Sequence, residues 1–444
     1  MRRIFGSIGL MILLAITLAS LAGCSSGSAP APTAAPAKPA AAPTTAPAAA
    51  PAAAPTKAPA AAAPTAAQPA AAPTTAAAPA TGQPIKVAFI GSLTGLVADL
   101  GMANLNGAKL AVDEVNKAGG VAGRPLELLT YDDTNDPSVA VTRAQKAITS
   151  DGAQVIIGGT NAPTAMSIRE VSNQAKVVDI SPQAQNRELT QGMPWIFRVG
   201  TVDLYNARAL VALMMKLGYK KPALISDNTA FGQSGDKSLQ EALTEKGIKW
   251  VTDQKHNAGA TDVTAQVLAA KNAGGDVLLV WSQGADAALI AKTKKQLGYD
   301  VPQMGLDSQM HASALPIAGD AYEGVIAVSI ADTSRPDVQA FFDTYQKTFG
   351  IPPATIYSPC QGHDAVQILA AGLRKIAPIG DKVDQEKLKA ALETVSYEGL
   401  TGPQGTKWTF TPQSHDGLPE GASVFYKVQG GKWVRYMSLA DVLK

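Results

Sequence analysis

Side chains able to do acid–base, nucleophilic or metal chemistry occur in this chain, but their spacing matches no common reaction centre. The segment FGQSG at 231–235 lacks the GxSxG arrangement that exposes a nucleophilic serine, and no glycine-rich phosphate or dinucleotide loop is present. Asp132 and Asp133 are neighbours in a predicted strand and therefore point to opposite faces. No HExxH motif or metal-ligand spacing connects the four histidines, His256, His311, His363 and His415. We predict no enzyme activity, no catalytic residues, no cofactor and no metal site.

The two cysteines indicate a lipid anchor rather than a disulfide. Two cations, Arg2 and Arg3, precede a short apolar run, which is typical of a secretory signal. The run ends in LAGC at 21–24, which resembles a bacterial lipobox, so we predict a lipoprotein signal peptide over 1–23 and lipidation of Cys24. Cys360 then has no partner. A short transmembrane anchor is the alternative, although the run is short for a spanning helix.

Residues 24–84 are almost only alanine, proline, threonine and serine. Recurring proline removes the amide donors that a helix needs, and little apolar bulk is available to offset chain entropy. We predict a disordered tether with an extended limit of about 180 Å, at about 3.1 Å per residue. The tether either carries a domain through or beyond a cell-wall layer or is a spacer whose length does not matter.

Residues 85–444 are too long for one compact core, so we predict that they form two α/β lobes. Apolar strand-like runs alternate with helical patterns, and the alternation restarts after Gly200. The predicted strands are 85–90, 126–131, 154–159, 176–181, 222–227, 276–281 and 301–307, and the predicted helices are 104–117, 138–149, 164–174, 207–217, 234–246 and 285–297. This pattern predicts doubly wound parallel sheets with a cleft at the carboxyl ends of the strands. The formal net charge of +2 gives no reason to expect nucleic acid.

One segment carries a family signature. NGA at 106–108, DEVN at 113–116 and GGVAGRPLEL at 119–128 lead on to YDD at 131–133 and DP at 136–137. This stretch resembles periplasmic-binding proteins of the branched-chain amino acid (Leu/Ile/Val) type, and weaker matches extend the resemblance over roughly 85–430. The resemblance implies a type I fold with a three-crossing hinge. It assigns 85–200 plus 331–400 to lobe one and 201–330 plus 401–444 to lobe two.

The same resemblance implies a ligand site between the lobes. On lobe one, the start of the helix after IIGG (156–159) would hold a ligand carboxylate, as free helix amides favour anions. Ala162 and Gln185 replace side-chain hydroxyls that relatives offer, and Asn135 and Asn161 stand where some relatives have a disulfide. Core packing for Leu100 and simple helix capping for Asn161 are the alternatives. The candidate residues of lobe one are Leu100, Asn161, Ala162, Thr164, Ala184 and Gln185.

On lobe two, the resemblance implies that Phe231 stacks on the ligand and that Gln283 faces the cleft from a strand end. Asp307 matches the acidic residue that neutralises the ligand ammonium. An unpaired carboxylate in a closing cleft is costly unless a cation arrives, which favours an amine-bearing ligand; a solvated loop position is the alternative. His363 lies near the hinge, where ligand contact and a structural role are both open.

We therefore expect an extracytoplasmic, lipid-anchored and monomeric solute-binding receptor of an ABC importer. It would capture an amino acid or related small polar solute by lobe closure and deliver it to permease subunits. The alternative is a sensing receptor of the same fold for an amide, urea-like or aromatic-acid ligand.

Overall fold

The computed structural model describes residues 80–95 and 97–444. The predicted signal peptide (1–23), the lipidation site Cys24 and the predicted tether as far as residue 79 lie outside the described residues. Within the described ranges, no helix combines the length and the apolar character needed to cross a membrane.

Lobe one is built on a five-stranded parallel sheet. Its elements are β1 Ile85–Gly91, α1 Ala98–Lys117, β2 Leu126–Asp132, α2 Pro137–Thr149, β3 Val155–Gly158, α3 Ala162–Ala175, β4 Asp179–Ser181 and β5 Ile196–Arg198. The strands lie in the order β2-β1-β3-β4-β5. The interior strand β1 is almost wholly buried, since helices cover both faces of the sheet, and this explains its continuous apolar run.

Lobe two follows with the same alternation of strands and helices. Its elements are α4 Asp203–Lys216, β6 Pro222–Asp227, α5 Ala230–Glu245, β7 Thr252–His256, α6 Thr264–Asn272, β8 Val277–Trp281, α7 Gly284–Gln296, β9 Gln303–Leu306, α8 Ala314–Ala318 and β10 Ile326–Ser329. Short 3₁₀ turns lie at Arg187–Leu189, Asp307–Met310 and Gly319–Tyr322.

The chain then returns to lobe one and ends in lobe two. The last elements are α9 Pro336–Phe349, α10 Ser358–Lys375, α11 Gln385–Leu392, β11 Ser396–Tyr397, β12 Trp408–Thr409, β13 Val424–Gln429, β14 Lys432–Ser438 and α12 Leu439–Val442. Helix α10 packs along α1 of lobe one. Strands β13 and β14 complete a seven-stranded sheet in the order β14-β13-β10-β9-β8-β6-β7.

Every strand and helix predicted from the sequence is present, with shifted ends. Helix α1 begins at Ala98 instead of residue 104, and the strand predicted at 176–181 is formed only over Asp179–Ser181. The sheet of lobe two is mixed rather than parallel, because β13 runs antiparallel to both β10 and β14. Gly430 and Gly431, with φ of 57° and 72°, form the tight turn that makes this hairpin possible.

The crossings between the lobes lie close together. An antiparallel bridge joins Ala331 to Thr401, and a parallel bridge joins Arg198 to Asp416. The sequence-based assignment put residues 401–422 in lobe two. In the structure their apolar side chains pack in the core of lobe one. Trp408 and Phe410 are buried in that core, and the indole nitrogen of Trp408 donates to the Val199 carbonyl at 2.9 Å.

Candidate functional site

A small cavity of about 30 Å³ lies between the two lobes at the carboxyl ends of their strands. Eight of the ten residues predicted to bind ligand line it: Leu100, Asn161, Ala162, Ala184, Gln185, Phe231, Gln283 and Asp307. The sequence analysis missed four further lining residues, which are Thr160, Gln183, Ser308 and Tyr357.

The loop between β3 and α3 forms one wall of the cavity. Asn161 is the N-cap of α3, and its side-chain oxygen accepts from the Thr164 amide at 3.4 Å. Its amide nitrogen donates to the Asn135 side chain, so a hydrogen bond joins the two positions where some relatives have a disulfide. Thr164 is fully buried and bonds back to Asn161 instead of lining the cavity. The cap therefore orders the first turn of α3, whose leading amides remain able to bind an anion.

The loop after β4 forms the second wall on lobe one and connects it to lobe two. The side-chain oxygen of Gln185 accepts from Asn206 at 2.9 Å, and its carbonyl accepts from the Asp203 amide at 2.8 Å. Gln183 donates to the Ser358 hydroxyl at 2.9 Å. The carbonyl of Ala184 accepts a longer bond of 3.3 Å from Arg198. These contacts hold the loop in a defined position, so Ala184 and Gln185 face the cavity from a rigid support.

Asp307 directly follows β9 and is 2% exposed. Burial raises the pKa of Asp307 to about 7; contact with Gln185 and the Ser308 amide lowers it, and the charge of Asp203 raises it further. No cation is paired with Asp307 within the described residues. The arrangement favours a positively charged group in the cavity, since such a group would compensate the buried carboxylate.

A second buried carboxylate, Asp203, was not among the predicted site residues. It begins α4, and neither of its carboxyl oxygens has a hydrogen-bond partner among the described residues. Burial also raises the pKa of Asp203 to about 7, with the charge of Arg198 opposing the shift. Parallel strands place ligand sites at their carboxyl ends. Asp203 begins a helix at the first crossing and follows no strand directly, so this rule does not point to it.

Phe231 and Gln283 reach the cavity from lobe two. Phe231 lies in the first turn of α5, where the Thr229 hydroxyl accepts its amide hydrogen at 3.2 Å, and its ring centroid is 6.2 Å from that of Trp281. Gln283 is the N-cap of α7 and makes no side-chain cap bond. The aromatic face and the carboxamide therefore lie on the wall opposite Asn161.

His363 lies outside the cavity. Its Nε2 is 2.9 Å from Glu114 Oε2 and its Nδ1 is 3.3 Å from Asp364 Oδ1. Burial lowers the pKa of His363, but hydrogen bonds to Asp364 and Glu114 outweigh burial and raise the pKa to about 9. Asp364 in turn accepts the amide hydrogens of Leu400 and Thr401. The contacts of His363 thus support the third crossing of the hinge.

Polar pairs connect the lobes around the cavity. Arg187 pairs with Glu241, and His311 Nδ1 lies 3.1 Å from Asp99 Oδ2. Two α/β lobes in contact over a lined cavity, with strand ends supplying the lining, define a two-lobed binding protein.

The sequence profile described as "Periplasmic binding protein" matches residues 84–432, and the chain belongs to this family. The expected type I fold and the role of an extracytoplasmic solute-binding receptor, not an enzyme, are thereby confirmed at the level of the family.

Named relatives agree with this assignment. A leucine-, isoleucine-, valine-, threonine- and alanine-binding protein of Pseudomonas aeruginosa is 30% identical over 326 residues, which is 72% of this chain and 85% of that protein. A Leu/Ile/Val-binding protein of Rhizobium johnstonii is 28% identical over 319 residues, 71% of this chain and 85% of that protein.

Two solved structures share the fold. A leucine binding protein of Thermotoga maritima superposes with a TM-score of 0.71 at 22% identity, covering 80% of this chain and 99% of that one. A solute binding protein of R. palustris in complex with benzoate gives a TM-score of 0.71 at 23% identity, covering 80% of this chain and 96% of that one. At these identities the likeness concerns the fold.

Proposed function

We propose that the interlobe cavity binds an α-amino acid and that the closed protein delivers it to the permease subunits of an ABC importer. The observation that carries the proposal is the buried Asp307, which has no cation partner among the described residues, in a cavity to which both lobes contribute. A ligand touching both lobes stabilises the closed arrangement over the open one, because only the closed form offers both sets of contacts.

The two charged ends of an amino acid fit the two walls. The ligand ammonium pairs with Asp307, because no described cation of the protein already pairs with that carboxylate. The ligand carboxylate lies at the first turn of α3, near Asn161 and Ala162, where helix amides and the helix dipole favour an anion. Ala184 and Gln185 contact the ligand between these ends, and Phe231 packs on its apolar part.

Entry of the ligand requires the lobes to separate. Ala184 and Asp307, which line the cavity from the two lobes, are each only 2% exposed, so solvent scarcely reaches them in this arrangement. The walls must therefore move apart to admit a ligand and return around it. Interlobe pairs such as Asp99 with His311 open and re-form in this cycle.

A ligand panel tests the proposal. Calorimetry or thermal shift on the purified protein would compare amino acids with the corresponding amides and with benzoate, because relatives are named for aliphatic amino acids and one structural neighbour holds benzoate. A bound amino acid at 100 times its Kd should stabilise the protein by about 2.7 kcal/mol. Binding of benzoate or an amide with no response to any amino acid would instead support the sensing or aromatic-acid alternative.

We further propose that the protein acts as a monomer, anchored outside the cytoplasm through lipid on Cys24. Two or more acyl chains are needed for firm anchoring, as one chain alone binds a membrane marginally. Replacing Cys24 by serine should release the protein from the membrane fraction without changing its ligand affinity. Retention of the Cys24→Ser protein in membranes would contradict the lipid anchor and support a transmembrane one.

A further inference from the structure

A second, larger cavity of about 290 Å³ lies between the lobes. Gln283 lines both cavities, so the two spaces are neighbours at this residue. Lobe one contributes Ala98 and Asp99 from the start of α1, and lobe two contributes Asp286 and His311. We call this second cavity the distal chamber.

The polar groups of the distal chamber are mostly hydrogen-bond acceptors. His311 is 5% exposed, and its Nδ1 lies 3.1 Å from Asp99 Oδ2. Because a carboxylate accepts, Nδ1 carries the hydrogen of this bond. The buried Nε2 of the same ring has no hydrogen-bond partner among the described residues, and neither does the side-chain oxygen of Gln283.

Two carboxylates add negative charge to the same chamber. Asp286 is 5% exposed, and its Oδ2 accepts from the Gly259 amide at 3.0 Å. Asp99 contributes a second carboxylate from the opposite lobe. Among the described residues, no lysine or arginine lines the chamber, so its field favours a donor or a cation over an anion.

The described residues of the chamber wall include no large apolar side chain. Their apolar contribution comes from Ala98 and Ala285, with Gly95 and Gly284 beside them. A branched aliphatic side chain would gain little contact from these residues and would leave the acceptors unpaired. An unpaired buried acceptor is costly, whereas a ligand donor would satisfy it.

We propose that the ligand is an α-amino acid whose side chain ends in a hydrogen-bond-donating group, a carboxamide, guanidinium or ammonium, held in the distal chamber by Asp99, Gln283, Asp286 and His311. This inference rests on the proposed function and narrows its ligand class. It departs from the aliphatic amino acids for which the P. aeruginosa relative is named.

Matched ligands separate the inference from the function beneath it. Calorimetry on the wild-type protein would compare glutamine with methionine and lysine with norleucine, pairs of similar length in which one member lacks the donor. We expect glutamine or lysine to bind at least tenfold more tightly than its partner. Tighter binding of methionine, norleucine or leucine would overturn the inference and leave the proposed function intact. No binding by any amino acid would overturn both.

Variants of the chamber give a second test. Ala98→Leu, or Ala285→Leu on the exposed first turn of α7, should fill the space and weaken glutamine or lysine binding at least tenfold while alanine binding stays unchanged. Asp286→Asn should weaken lysine binding at least tenfold, whereas the exposed control Asp343→Asn should not. Unchanged glutamine and lysine affinities in both filled variants would overturn the inference.

Discussion

Replacing Asp307 by asparagine should have opposite effects on ligand binding and on stability. The change keeps the shape of the side chain and removes its charge from a position that is 2% exposed. Removing one partner of a buried charge pair costs about 2–5 kcal/mol of binding free energy. We therefore expect Asp307→Asn to weaken binding of an amine-bearing ligand by at least about thirtyfold, since each 1.4 kcal/mol is tenfold.

Without ligand, the same variant should be more stable above neutral pH. The pKa of Asp307 rises from its ordinary value of 3.8 to about 7, which corresponds to at most about 4 kcal/mol. Because the folded pKa is the higher one, this cost is absent below about pH 4, grows from pH 4 to 7 and is complete above pH 7. Asparagine does not ionise and escapes that cost.

Urea denaturation of the ligand-free protein at pH 5 and pH 8, together with calorimetry at pH 8, measures both effects. The gain in unfolding free energy from Asp307→Asn should be larger at pH 8 than at pH 5. Asp203→Asn is the matched control, because Asp203 has a similar pKa of about 7 but does not line the cavity. Unchanged affinity in Asp307→Asn would refute the pairing of Asp307 with an ammonium.

Three further predictions follow from named contacts. Between pH 5 and 7, ligand binding should tighten with rising pH and release about one proton, because the ligand ammonium lowers the pKa of Asp307; titrations in buffers of different ionisation enthalpy measure this release. His363→Ala should lower the free energy of unfolding at pH 7 but not at pH 10, and ligand affinity should stay unchanged. The raised pKa of about 9 stabilises the folded protein fully below pH 6.5, and this contribution is lost as the pH rises through 9. Trp408→Ala should cost about 3–5 kcal/mol in urea denaturation, because it empties a buried position in lobe one.

The predictable part of the site consists of residues that follow strands. Asp307 follows β9, and Gln283 follows β8 after one residue. The family resemblance assigned these positions to the cleft, and the rule that parallel strands direct their carboxyl ends to one edge agrees with that assignment. The same rule gives no information on Tyr357, the N-cap of α10, or on Asp203, which begins α4 after the first crossing.

Residues far apart in sequence explain the remaining differences. His363 bonds Glu114 across 249 positions of sequence, a pairing that no local pattern encodes. The assignment of 401–422 depends on which of two apolar cores receives Trp408 and Phe410, and no local pattern encodes that choice. Strand–helix alternation does not predict the β13–β14 hairpin, because an antiparallel hairpin breaks that alternation.

The central claim, that the lobes close on an amino acid, is tested most directly by a distance measured between them. Spin labels on Glu170→Cys of α3 and Thr244→Cys of α5, both exposed, would report the separation by pulsed electron resonance in a Cys24→Ser background, where the remaining Cys360 is buried. The account predicts a longer and broader distance distribution without ligand and a shorter, narrow one with a saturating amino acid. Identical distributions with and without every amino acid of the panel would contradict it.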